Sequence, residues 1–300
     1  MATTPSRLPA SVAETTTQPG LRKVLLATDF SESTKNALLF ALGLARRHRA
    51  MLYLLNVVYS IGYFLGGGCA LAQADLQAWR DARRLERELI RDRFLDGVEH
   101  EFLVANGLPS TVIPQIALEK EVDLIVIGTR GRHGLAKLLF GSCAEKVVHS
   151  APCPVLTVGA WMRRSLSYDV GPKRILLLAG SYPSNRHIIE YALSLLARSS
   201  TEPISLDVME RSPATGIKSR EVETVEPEFR RWLDRVAKGR FPQLQAQIIS
   251  TTEGPVEITN RINADLVAIA VAESSKAGPA RGGVYDTVCA SRCPVLAISA

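Results

Sequence analysis

The segment Arg22-Lys23-Val24-Leu25-Leu26-Ala27-Thr28-Asp29-Phe30 recurs in pattern as Lys173-Arg174-Ile175-Leu176-Leu177-Leu178-Ala179-Gly180-Ser181, with Arg174 standing 151 positions after Lys23. Two more pairs follow in the same order. Val122-Asp123-Leu124-Ile125-Val126-Ile127-Gly128 is echoed by Ala264-Asp265-Leu266-Val267-Ala268-Ile269-Ala270, and Pro152 to Val158 by Arg292-Cys293-Pro294-Val295-Leu296-Ala297-Ile298. Each is a short apolar run bounded by charge or glycine, the pattern of a parallel strand covered on both faces. A chain that carries the same strand signals twice in one order is expected to build the same unit twice. Its 300 residues, 46% hydrophobic, suffice for two cores. The expected division is a tail over 1–20, a first domain over 21–160, a linker over 161–172 and a second domain over 173–300.

The first copy carries chemistry directly behind a strand. Asp123 to Ile127 is followed by Gly128-Thr129-Arg130-Gly131 and, further on, by Gly141-Ser142. Glycines let the backbone approach an anion closely, so that successive N–H groups converge on phosphate oxygens. A helix expected over Ser142 to His149 would add its positive amino end to such a cradle. The same glycines also make ordinary turns, and Ser142 with Glu145 fits a capping box that serves only its own helix. Asp29 is equally ambiguous: it is either a ligand group or part of a turn into a helix capped by Ser31 or Ser33. Arg130, Arg132, His133 and Lys137 make the loop basic, as suits a polyphosphate. His133 is assigned no catalytic role. The chain shows no Ser/His/Asp grouping, paired metal-ligand spacing or G-x-x-x-x-G-K-[S/T] loop.

The spacing Gly128-x2-Gly131-x9-Gly141-Ser142 resembles the nucleotide motif G-x2-G-x9-G-[S/T] of the universal stress protein family, in its ATP-binding branch. The likeness extends over residues 22 to 158, with Lys23 to Ser31 similar to that family's first strand and turn and Ala151 to Val158 similar to its last strand. The resemblance implies an α/β fold of two tandem Rossmann-like (adenine nucleotide alpha hydrolase-like) domains, each a parallel sheet of about five strands flanked by helices. It implies that Asp29 contacts the adenosine, that the Val57 backbone reads the base, and that Ile127 and Gly128 border base and ribose. Gly131, Gly141, Ser142 and the Cys143 amide would hold the phosphates. Ala27 stands where nucleotide-bound members can carry proline, at a position of packing or backbone contact. The implied ligand is ATP with Mg²⁺. In the family, domains pair through their last strands, which here would give an internal pseudo-dimer through Val155 to Val158 and Val295 to Ile298.

The second copy departs at the cradle. Gly180 stands at the position of Asp29, Ala270 at Gly128 and Glu273 at Gly131, and the stretch before Pro294 is two residues shorter, 294 − 265 = 29 against 154 − 123 = 31. A carboxylate in a phosphate cradle repels its ligand. Gly282-Gly283 could rebuild only the helix entrance. One competent site per chain is expected, in the first copy.

Strands are expected at Lys23 to Ala27, Met51 to Val58, Asp123 to Ile127, Val155 to Val158 and Ile204 to Val208. Helices are expected at Ser33 to Arg47, Asp75 to Asn106, Val112 to Lys120, Asn185 to Arg198 and Pro227 to Lys238. The long second helix rests on the recurrence of Leu85, Leu89, Phe94, Val98 and Phe102. The arginines between them, Arg80, Arg83, Arg84, Arg87 and Arg91, form a solvated face and not a nucleic-acid surface, since no aromatic interleaving accompanies them. The net charge of +6 is modest.

The tail is polar and lacks the apolar centre of a secretory signal. Ile61 to Ala72 is too short for a membrane span and is broken by Gly66-Gly67-Gly68, which suits a flexible loop or lid beside the site. Pro213 to Glu226 suits a mobile crossing. Cys69, Cys143, Cys153, Cys289 and Cys293 show no CxxC spacing and fit reduced thiols of the cytoplasm. The expected function is that of a nucleotide-dependent stress-response or regulatory factor and not of a dedicated enzyme. No membrane or nucleic-acid partner is expected, and further homo-oligomerisation stays open. Two alternatives stand beside it: an interaction module of the same fold without nucleotide, and a slow ATP-hydrolysing enzyme. A related fold that cleaves ATP at the α-phosphate uses a Ser-Gly-Gly loop after its first strand, where this chain has Thr28-Asp29-Phe30-Ser31.

Overall fold

A computed structural model describes residues 20–29, 34–59, 68–129, 141–159, 172–178, 186–195, 204–211, 231–232, 235, 244–251, 253–271, 287–288 and 290–299. In chain order, the first half contributes β1 (Lys23–Ala27), α1 (Lys35–His48), β2 (Met51–Val58), α2 (Gly68–Arg91), β3 (His100–Asn106), α3 (Pro109–Glu119), β4 (Leu124–Gly128), α4 (Ser142–Ser150) and β5 (Val155–Val158). The second half contributes β6 (Arg174–Leu178), α5 (Arg186–Ser194), β7 (Ile204–Arg211), β8 (Leu244–Thr251), α6 (Pro255–Ile262), β9 (Leu266–Val271) and β10 (Val295–Ser299).

These strands make a single ten-stranded sheet in the order β3-β2-β1-β4-β5-β10-β9-β6-β7-β8. Read inward from either end, the order is 3-2-1-4-5 twice. Every ladder is parallel except the central one, where β5 and β10 run antiparallel with Thr157 opposite Val295. The fold is α/β, with a parallel-dominated sheet between helices. Because successive strand residues point to opposite faces, the unbroken apolar runs serve two cores. Val24, Leu26, Leu124 and Val126 face α1, α2 and α5. Leu25, Ala27, Ile125 and Ile127 face α3, α4 and α6.

At the amino ends of the strands both halves use one device. The Asp123 carboxylate accepts the backbone N–H groups of Arg22 and Lys23, both at 2.8 Å, and so ties the start of β1 to that of β4. Asp265 accepts those of Lys173 and Arg174, both at 3.0 Å, tying β6 to β9. An acceptor for two otherwise orphaned amides is what a strand start needs. Across the seam the Tyr191 hydroxyl of α5 donates to the Asp123 carbonyl at 2.6 Å, and Thr157 Oγ1 donates to the Val295 carbonyl at 3.1 Å.

Two sequence expectations are corrected and two unassigned segments gain elements. The helix expected over Asp75 to Asn106 is two elements: α2 ends at Arg91, a turn follows with Arg93 and Gly97 at positive φ, and His100–Asn106 is β3. The helical recurrence ran on because Val98 of the turn packs into the same core as Leu89 of α2, while β3 makes its ladder on β2. The loop expected over Ile61 to Ala72 is helical from Gly68 onward. Leu244–Thr251 and Pro255–Ile262, assigned nothing from sequence, are β8 and α6. In the second half α5 stops at Ser194, and Arg231, Trp232 and Arg235 are helical, as expected within Pro227 to Lys238. The tail up to residue 19, the stretch 160–171 and Pro213 to Glu226 lie outside the described residues. Among the described residues, no helix is long and apolar enough to cross a membrane.

Candidate functional site at the carboxyl ends of the first-half strands

Four strand ends and one helix start converge here. β1 closes at buried Ala27, opposite Leu55 of β2 and Ile127 of β4. Thr28 then donates its N–H to the Leu55 carbonyl at 2.9 Å, and Asp29 follows, half-buried. Backbone groups of alternate residues face the same edge of a strand. Since Leu55 serves β1, Val57 turns its own N–H and C=O toward the space just past the end of β1. Its neighbour Val58 serves the other edge, accepting from Gly107 N–H at 3.0 Å.

On the other side, β4 ends at buried Gly128, opposite Val158 of β5. Thr129 donates its N–H to the Val158 carbonyl at 3.0 Å, and its carbonyl accepts Gly141 N–H at 2.9 Å. One hydrogen bond therefore closes the mouth of the loop that leaves at Thr129 and returns at Gly141. Gly141 is there for space: a Cβ on it would sit 3.1 Å from the Thr129 carbonyl oxygen. Residues 130–140, among them Gly131, Arg130, Arg132, His133 and Lys137, lie outside the described residues.

α4 starts immediately at this closure. Its N-cap is Gly141, without a side-chain cap bond, and Ser142 is the first helical residue, exposed. The capping box expected from Ser142 and Glu145 is thus not formed, because Ser142 sits one position inside the helix. The first intrahelical bond runs from Glu145 N–H to the Gly141 carbonyl. The amides of Ser142 and Cys143 precede it and face out of the helix's positive end. Glu145, in the first turn, and Lys146 flank the entrance. The Cys143 thiol is pushed up, chiefly by burial and also by the Asp29 carboxylate, with Lys146 opposing. Asp29 and the start of α4 therefore lie within electrostatic reach of each other. That direction runs against an activated thiolate at Cys143.

Three polar side chains went unremarked in the sequence. Asn56 is buried in the middle of an apolar strand, and its Nδ2 donates to the Thr28 carbonyl at 2.8 Å. Thr28 Oγ1 shares a hydrogen bond with Thr34 Oγ1 at 3.1 Å, both buried. Thr34, and not Ser31 or Ser33, is the N-cap of α1, yet its side chain makes no cap bond. An asparagine interrupting Leu52 to Val58 was the available signal.

In the second half, Ala270 occupies the place of Gly128 toward the end of β9, which runs one residue further to Val271. Gly180, Glu273 and Gly282-Gly283 lie outside the described residues. Among the described residues, no group of three or more His, Cys, Asp or Glu is arranged to hold a metal ion.

Comparison with known proteins agrees with this layout. Residues 20–159 match the model of the universal stress protein family. A universal stress protein of Thermus aquaticus is 38% identical over 141 residues, which is 46% of this chain and 98% of that protein. One from Methanocaldococcus jannaschii is 32% identical over 142 residues, covering 46% of this chain and 81% of its own. A crystal structure of a universal stress protein from Archaeoglobus fulgidus superposes with a TM-score of 0.65 at 17% identity, over 92% of this chain and 98% of that one. At that identity the superposition speaks for the fold alone, and it extends through both halves. A whole relative fits inside the half that carries the glycine spacing, so the chain belongs to the universal stress protein family.

Proposed function

We propose that the first half binds ATP with Mg²⁺ and that the protein works as a nucleotide-dependent stress-response or regulatory factor of the cytoplasm, not as a dedicated enzyme. The observation that supports this is the Thr129–Gly141 closure, which holds the amino end of α4 at the carboxyl ends of the strands, the end of the sheet where Asp29 and Val57 also stand. Open parallel sheets take ligands in the crevice beyond their carboxyl strand ends. Gly141 would let the backbone close tightly on Thr129 next to the phosphates, since a Cβ there would crowd the Thr129 carbonyl. Ser142 and the Cys143 amide would hold the same oxygens, with Gly131 completing the cradle. Asp29, Val57, Ala27, Ile127 and Gly128 would border the nucleoside. Mg²⁺ would offset the charge of the triphosphate. The β5–β10 ladder is the basis for regarding the two halves as an internal pseudo-dimer, with one nucleotide per pair.

Calorimetry of the full chain with ATP and Mg²⁺ tests this. One saturable site per chain is expected. No heat at millimolar ATP overturns nucleotide binding and leaves an interaction module, while two equivalent sites overturn the assignment to the first half.

A further inference from the structure

We propose that Asn56, Thr28 and Thr34 form a positioning relay that shapes the Asp29 segment for the nucleoside end of the ligand; this rests on the nucleotide reading above. The relay holds the backbone next to Asp29 and ties it to the start of α1. Asn56 reaches from β2 to hold the Thr28 carbonyl, the last peptide before Asp29, and Thr28 in turn holds Thr34, where α1 begins. Asp29 is thereby bracketed by two side-chain bonds that are both buried.

Burying an amide and two hydroxyls is costly unless each is hydrogen-bonded, and apolar residues at the same positions would satisfy the core equally well. The fold does not ask for the relay. Ala179 stands at the position of Thr28 in the second half, Glu210 at that of Asn56, on β7, and Asn185 at that of Thr34, just ahead of α5. Alanine has no hydroxyl to offer. The aspartate clamps at the opposite strand ends, in contrast, occur in both halves. What the architecture needs is present in both halves, whereas the second half has an alanine where the relay needs the Thr28 hydroxyl and a glycine where the first half has Asp29. Thr34 also shares a hydroxyl hydrogen bond with Thr28 and makes no side-chain cap bond to its own helix, although threonine is a good cap.

The test is to titrate the full chain with ATP, AMP and inorganic tripolyphosphate, comparing the native protein with Thr34→Val, Asn56→Leu and Thr34→Ser. Because Asp29 serves the nucleoside and α4 the phosphates, Thr34→Val and Asn56→Leu should each raise the Kd for ATP and for AMP by the same factor, about three- to tenfold. Tripolyphosphate should bind unchanged, and Thr34→Ser, which keeps the hydroxyl, should behave as native. Circular dichroism checks that each variant is folded. If ATP and AMP affinities stay native in the Val and Leu variants, or fall in step with tripolyphosphate, the relay is overturned and the nucleotide site stands. Should the native protein bind none of the three, the nucleotide reading fails and takes the relay with it.

Discussion

The two halves share their strand order and differ at one end of it. At the amino ends of the strands, Asp123 and Asp265 do the same work on the same backbone groups, and Ile125 and Val267 donate to the Pro154 and Pro294 carbonyls, both at 3.0 Å. At the carboxyl ends the corresponding positions differ: Gly128 has Ala270 as its counterpart, Thr28 has Ala179, Asn56 has Glu210, and Asp29 has Gly180. A doubly wound sheet separates these demands, because stability comes from core and strand starts while ligands meet the strand ends. One end can therefore change without disturbing the other.

The largest expected effect tests the functional end. Gly141→Asp should lower ATP affinity more than about 100-fold, since its Cβ would press on the Thr129 carbonyl and its carboxylate would face phosphate. Native affinity by calorimetry would remove the cradle from the first half and break the contrast. Next in size are the clamps. Asp123→Ala and Asp265→Ala should each cost about 2 kcal/mol of stability, as two backbone amides lose a charged acceptor. Urea denaturation checks this, and a silent change in one half alone would show that the shared device holds only one of them.

The smallest contrast is expected from two thiols, half-buried Cys153 in the first half and buried Cys293 in the second. Burial pushes both Cys153 and Cys293 up to about 12 from an ordinary 9.0. A thiol with a raised folded-state pKa stays protonated in the native protein while the unfolded chain ionises. The stability tied to it is full below about pH 9 and declines between about 9 and about 12. Cys153→Ala and Cys293→Ala should therefore flatten the alkaline limb of a pH–stability curve by similar amounts, with no change in its shape between pH 6 and 8. Rapid alkylation of either residue in the native protein at pH 8, read by peptide mass, would contradict their burial.

Much of this molecule was legible in its residues. The apolar runs over Lys23 to Ala27, Met51 to Val58 and Val155 to Val158 are strands with those bounds, because a strand buried on both faces is written as a near-continuous apolar run, here interrupted within the runs only by Asn56 and Thr157. The glycine spacing located the loop whose ends meet at Thr129 and Gly141. Harder to read were β3 and β8, at the two ends of the strand order. With one neighbour each and half-buried side chains, they lack the continuous apolar signature, and His100–Asn106 could pass for the tail of a helix. The Ser142 cap failed for a related reason, since a one-residue shift in a helix start changes which side chain reaches the open amides.

Local chemistry by itself determined where strands begin, which faces they bury and where glycine lets the backbone close up, since these follow from side-chain size and polarity along the chain. Only tertiary structure decided that β5 meets β10 antiparallel, that Tyr191 reaches Asp123, and that Asn56, Thr28 and Thr34 join. All but the Thr28–Thr34 bond link residues far apart in the chain, and their partners meet only once the sheet is assembled, so no local pattern encodes them.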